Sequence, residues 1–239
     1  MSRVAGKSGP YHHGDLRAAL VAQGLEIARS EGPSALSLRE VTRRAGVSPA
    51  AAYRHFRDRA ALMSALGREI QELMAKRMRA RSDAPTGGAV ASADGTQHGP
   101  VEAAERAQAA LRRLRGVGLG YIEFAVDEPG WFELAFFGES ARPDEASPAD
   151  RPVATAGPAG QARLEEVPPF AELLAALEDC VTSGALSARR RAGAEFSCWS
   201  AVHGCAELMV HGPLRGADPR VVRAVAERVV DDIISGIRG

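Results

Sequence analysis

Apolar residues recur at three- and four-residue spacings along this 239-residue chain, and no stretch alternates apolar and polar residues for the length of a strand. The pattern predicts an all-α protein. Between Asp15 and Ser30, Leu16, Leu20 and Ile27 fall on one helical face, and Gly32 followed by Pro33 ends that helix. Ser37 and Glu40 have the spacing of a capping box, so a short second helix starts there, with Leu38, Val41 and Ala45 on its apolar side. Gly46-Val47-Ser48 is a tight turn, in which Ser48 caps and Pro49 opens a third helix. Ala50, Ala51 and Ala52 propagate that helix without adding bulk. A fourth begins near Asp58 and runs through Leu62, Leu66, Ile70 and Leu73 to about Arg81.

Two short helices joined by a three-residue turn containing glycine form a helix-turn-helix, whose second member enters the major groove of DNA by its first residues. Three alanines then make sense, because a bare first turn can approach base edges closely. Tyr53 and His55 stand at the far end of the helix, within reach of phosphates, while Phe56 turns inward against the first and fourth helices. Charge agrees with this reading. The net charge is zero, yet residues 1–82 hold 15 Lys and Arg against 7 Asp and Glu, and the remainder holds 15 against 23. A basic first third on an acidic body expects an anionic partner for the first third alone.

Residues 82–100 are rich in Gly, Ala, Ser, Thr and Pro and read as a flexible linker. A long helix resumes at Val101, with Leu111, Leu114, Gly118, Tyr121 and Ala125 along one side, and stops before Pro129-Gly130. Trp131, Phe132, Leu134, Phe136 and Phe137 follow in a short helix, and 138–168 reads as a mobile loop. Three helices close the chain: 168–184, a segment at 191–211 that is apolar around most of its circumference, and 218–236, where Val222, Val225, Val229 and Ile233 recur. The last two carry more apolar surface than one subunit's core needs, which assigns Val222, Val225, Val229 and Ile233 to a two-fold interface.

Other chemistry is thin. His12 and His13 lack further ligands, so no metal is expected, and no cofactor motif is present. Gly116, Gly118 and Gly120 fail the dinucleotide pattern because Tyr121 interrupts it and no strand precedes it; close helix packing, or room for a ligand, accounts for them better. Cys180, Cys198 and Cys205 are widely spaced and expected as buried reduced thiols. His203 is either a satisfied core histidine or a ligand contact, and the aromatics at 131–137 are either core or pocket lining. Arg189, Arg190 and Arg191 read as solvated. No nucleophile–base constellation suggests an enzyme. No apolar run or secretory signal is present, so a cytoplasmic location without a membrane partner is expected.

The runs YHHGDLR, LSLREVTRRAGVSPAAAYRHF and DRAALMSAL, together spanning residues 11–66, closely resemble the TetR family of bacterial transcriptional regulators. PGWFELAFF and WSAVHG resemble the branch whose ligand domain carries a Trp–His–Gly signature. The resemblance implies a homodimer with two DNA-reading heads and a helical effector domain, usually a repressor released from double-stranded DNA by a small molecule. Residue by residue, it places Ser37, Arg39, Ser48, Pro49, Ala50, Ala51, Tyr53, His55 and Arg59 at the DNA. Tyr53, His55 and Arg59 match phosphate-holding positions, and Pro49, Ala50 and Ala51 match those facing bases. Residues 1–57 then form the arm and helix-turn-helix, 58–81 a connecting helix, and 101–239 the effector and dimerisation domain. Tyr121, Phe124, Trp131, Phe132, Phe136, Trp199 and His203 are its candidate effector lining, suited to a small hydrophobic molecule. The alternative is a constitutive or structural DNA-binding protein without effector control.

Overall fold

The computed structural model describes residues 16–84, 98–137 and 164–239. The N-terminal arm with His12 and His13, most of the expected 82–100 linker and most of the expected 138–168 loop lie outside them. The described residues are helical, with no strand among them.

Helix α1 (Leu16–Glu31) packs against α2 (Leu38–Ala45), α3 (Pro49–Ala52) and α4 (Arg59–Ser82), and α2 packs on α3. Each begins or ends as its side chains dictate. Gly32 leaves α1 in a positive-φ extended conformation, φ 81° and ψ 169°, which glycine adopts without a Cβ penalty. The Ser37 hydroxyl accepts from the Glu40 amide at 3.1 Å, Ser48 from the Ala51 amide at 3.3 Å, and Asp58 from the Ala61 amide at 2.7 Å. The capping box is completed on one side only. The Glu40 carboxylate turns to Arg43 and Arg44 rather than back to Ser37, because charge-assisted bonds to guanidinium outweigh a neutral one to an amide. Leu20, Ile27, Val41, Ala52, Phe56 and Leu66 close the small core of this head.

The body comprises α5 (His98–Asp127), α6 (Pro129–Phe137), α7 (Pro168–Thr182), α8 (Ala188–Arg191), α9 (Ala194–Val210) and α10 (Pro219–Arg238). Two features depart from the sequence reading. The expected 191–211 helix is divided, because Gly193 adopts φ 78° and begins α9 anew. The three arginines before it form a separate single turn capped by Ser187, and Arg191 is not simply solvated: it donates to the buried Glu195 carboxylate at 2.5 Å.

The glycines of α5 serve helix packing. A Cβ on Gly116 would lie 2.5 Å from Ser82 Cα, and one on Gly120 would lie 2.9 Å from Met78 Cα, so α4 and α5 meet backbone to backbone. Gly118 faces the other way, where its Cβ would lie 3.2 Å from Val230 of α10. Gly116→Ala should therefore destabilise the protein. Replacing a helical glycine normally gains about 1 kcal/mol, but overpacking against an immovable backbone costs about 1–3 kcal/mol. Urea denaturation should show a lowered midpoint, and an unchanged midpoint would mean that α4 and α5 separate without loss.

Candidate functional site

The third helix is a single turn, and its environment sorts its residues. Ala52 is fully buried, whereas Ser48, Pro49 and Ala50 are exposed and Ala51 is half-buried. Tyr53 is 57% exposed, and His55 is exposed beside it. Phe56 turns inward at 2% exposure, with the Arg17 guanidinium 5.4 Å from its ring centre.

Electrostatics separates the nearby cations. Arg43 and Arg44 are committed to Glu40, and Arg44 also to Glu31; their guanidinium groups hold the Glu40 carboxyl down at about 2. Arg39, on the exposed side of α2, has no acidic partner among the described residues. Arg54, which sequence reasoning did not single out, is exposed between Tyr53 and His55 and is likewise without one. Arg59 is placed differently. Its Nε donates to the Leu36 carbonyl at 3.1 Å, tying the start of α4 to the residue before the Ser37 cap. Ser37 and Ser48 both accept a backbone amide through their hydroxyls, so they set the entry angles of α2 and α3.

In the body, five of the seven candidate lining residues come together. The Tyr121 ring lies 5.1 Å from Trp199 and 6.1 Å from both Phe132 and Phe136, centre to centre. His203 stacks on Trp199 one turn earlier, and its Nδ1 is 2.7 Å from the Tyr121 hydroxyl. Burial holds His203 below the usual histidine range against the pull of the Glu207 carboxylate. In the neutral ring protonated at Nε2, Tyr121 is the donor. Tyr121 and Trp199 also wall a tight apolar crevice with about 20 Å³ of free space, completed by Val117, Cys198, Val230 and Ile233 among others. The Cys198 thiol is pushed up to about 11, chiefly by burial, so it is a protonated wall group and not a nucleophile.

Phe124 and Trp131 lie elsewhere, stacked on each other at 6.2 Å. The Trp131 indole donates to the Leu25 carbonyl of α1 at 2.8 Å, and Arg29 covers its ring. Arg29 also grips Glu128 through two 2.7 Å bonds, and a Cβ on Gly130 would strike the Ala28 carbonyl. Thus one face of α6 carries Phe132 and Phe136 into the aromatic cluster, and the other is fastened to the head. Adjacent positions on a helix point about 100° apart, which is why a run of aromatics in the sequence does not reveal this division.

Of the residues assigned to the two-fold interface, Val222, Val225, Val229 and Ile233 are all half-buried against the chain's own core, and Ile233 lines the cleft. The exposed large apolar side chains of α9 and α10 are Phe196 at 44%, Leu208 at 48% and Val221 at 47%. Among the described residues, no acidic, histidine or cysteine group could hold a metal ion, and no helix is long and apolar enough to cross a membrane.

Residues 20–66 match the model of bacterial regulatory proteins of the tetR family, and residues 114–233 match that of the tetracyclin repressor-like C-terminal domain. Comparison with curated proteins gave no match. Among solved structures, a protein of unknown function from Rhodococcus sp. RHA1 is similar at 25% identity, with a TM-score of 0.62, over 95% of this chain and 97% of that one. FadR from Bacillus subtilis in complex with stearoyl-CoA shares the fold at 12% identity and a TM-score of 0.58, over 92% and 98%. TetR from Acinetobacter baumannii AYE in complex with minocycline does so at 16% and 0.54, over 93% and 97%.

The Tyr121–His203 pair predicts a pH dependence. Because the folded His203 titrates below its usual 6.5, the unfolded chain binds more protons in that window, and stability falls as pH drops below 6.5. Urea midpoints measured from about pH 7 to about pH 5.5 should decline in the wild type, and less steeply in His203→Gln. Equal slopes would show that the ring titrates normally.

Proposed function

The chain belongs to the TetR family of bacterial transcriptional regulators, and from that premise we propose that it is a homodimeric repressor released from its operator by a small hydrophobic effector. The observation that carries this reading is the double role of α6, which walls the aromatic cluster with Phe132 and Phe136 while clamping α1 through Trp131, Glu128 and Gly130. A molecule that parts the cluster displaces α6, and α6 cannot shift without straining α1. The α4–α5 contact provides a second route, since α4 continues from the body into the head. Solved structures of this fold with stearoyl-CoA and with minocycline support a body that accommodates small molecules. Release requires that the effector bind the DNA-free conformation more tightly, because equal affinity for both shifts nothing.

At the DNA, Pro49, Ala50 and Ala51 face the bases, Tyr53, His55 and Arg54 the phosphates, and Arg39 reaches in from α2. Arg59 contributes chiefly by fixing the start of α4. One such head reads one half-site, so the operator is pseudo-palindromic and the heads are paired across the exposed flank of α9 and α10, where Leu208, Val221, Val225 and Val229 supply apolar surface. Residues 1–57 act as the reading head and 101–239 as the effector and dimerisation domain.

Two measurements test this. In footprinting and binding titrations, Tyr53→Phe and His55→Ala should weaken all sequences alike, whereas Ala51→Leu should change or abolish sequence preference. Affinity should also fall steeply with salt, as phosphate neutralisation releases counterions. Salt-insensitive binding, or equal effects of the two kinds of substitution on every sequence, would rule the assignment out. In ultracentrifugation, Val225→Asp should yield monomers, since burying an unpaired charge costs roughly 3–5 kcal/mol. A wild-type chain that is monomeric at micromolar concentration would refute the dimer.

A further inference from the structure

Base pairs are told apart in the major groove by two kinds of contact: hydrogen bonds to their donors and acceptors, and apolar contact with the thymine methyl. The match to the tetR-family model spans α2, α3 and the turn between them, so the reading surface is the exposed side of α3. That surface is short of hydrogen-bonding groups. Pro49 and Ala50 are exposed and Ala51 is half-buried, and none of the three has a polar side chain. The Ser48 oxygen is occupied as the cap, accepting from the Ala51 amide at 3.3 Å. On α2, Arg43 and Arg44 are turned to Glu40 and Glu31, which leaves Arg39 as the arginine of that helix with no acidic partner among the described residues. Tyr53 and His55 were assigned above to phosphates, whose contacts carry no sequence information directly.

The apolar kind of contact is well served. Alanine and proline have no side-chain rotamers to lose, so their carbons go where the backbone puts them. The backbone is fixed on both sides: Ala52 is fully buried, the Ser48 cap holds the first turn, and the Tyr53 amide donates to the Pro49 carbonyl at 3.2 Å. An apolar group held in this way gains from a methyl opposite it and loses that contact where the methyl is missing, because it cannot swing to close the gap. It is also blind to the rest of the ring. Thymine and 5-methylcytosine carry the same methyl at C5 and differ at C4, where one has an oxygen acceptor and the other an amino donor. A side chain without donors or acceptors does not distinguish the two.

Building on the DNA-reading assignment above, we propose that Pro49 and Ala50 read the C5 methyl groups of operator pyrimidines, thymine and 5-methylcytosine alike, so that cytosine methylation converts an unread position into a read one. Arg39 supplies the hydrogen-bonded part of the readout from α2.

The test begins with duplexes selected from a random pool by the full-length wild-type protein. Each thymine of the selected site is then replaced by deoxyuridine, which removes the methyl and keeps the pairing edge. At one position in each half-site the change should weaken binding about fourfold, the worth of one buried methyl, and about sixteenfold when both half-sites carry it. With cytosine at that position binding should also weaken, and 5-methylcytosine there should bind about fourfold more tightly than cytosine. Ala50→Gly withdraws the protein's own methyl, so its thymine-to-uracil affinity ratio should fall towards one. The ratio is taken within one protein, so any loss of helix stability cancels. If that variant does not fold, the wild-type ratios decide. The proposal is overturned, with the DNA-reading assignment left standing, if every thymine can become uracil without loss, if 5-methylcytosine binds no better than cytosine, or if the glycine variant keeps the wild-type ratio. If no sequence is selected from the pool, both readings fail.

Discussion

The approach of α5 to α4 at backbone distance is the constraint on which the rest of the molecule hangs. Gly116 and Gly120 are one turn apart on the face of α5 that meets Ser82 and Met78, and no side chain fits between the two helices. Gly118 lies on another face and admits Val230 of α10 and Val202 of α9. The long helix is therefore gripped from two sides without a cushion of flexible side chains. Packed interiors of this kind respond to a disturbance by stepping between arrangements rather than by yielding gradually. Because α4 runs on into the head, where Leu62 and Leu66 share a core with Phe56, a step at α5 has a rigid path toward the third helix.

A second connection works by direction rather than proximity. Helix α6 is only nine residues long, and almost every side is in use. Phe132 and Phe136 contact Tyr121 and His203, while Trp131 and Gly130 seat against the last turns of α1. The indole bond to Leu25 occupies a carbonyl already within a helix, and carbonyls accept two bonds. It thus fastens α6 to α1 without breaking the ladder beneath. The paired Arg29–Glu128 contact is half-exposed and individually weak, so orientation rests on the buried ring and the glycine.

Much of this was legible in the sequence, and the illegible parts have physical causes. Ser37 and Ser48 each accept an amide at the helix start that their identity announced, because capping is a local event. The all-α class and the helix-turn-helix followed from spacing alone. The departures lie where tertiary contacts decide. Sequence could not tell which aromatic of 131–137 faces the body and which faces α1. Nor could it show that Gly193 takes a positive φ and breaks a run that otherwise reads as continuous helix. Val222 and Ile233 share the periodicity of Val225 and Val229, yet one lies in a groove beside Ala226 and the other in the cleft. Periodicity marks an apolar stripe; it does not say how much of that stripe the chain's own core consumes.

Charge completes the account by its distribution. The chain as a whole is neutral. Along the body, arginines and acids neutralise each other across helix contacts: Arg77 with Asp127, Arg79 with Glu172, Arg81 with Glu123, Arg115 with Asp231. Such pairs near the surface add little stability each, but they leave no local field. On α2 the same cancellation absorbs Arg43 and Arg44. Among the groups left outside these pairings are Arg39 and Arg54, which flank the exposed third helix. Unpaired cations therefore stand beside the one exposed helix of the head, in a chain of a DNA-binding family.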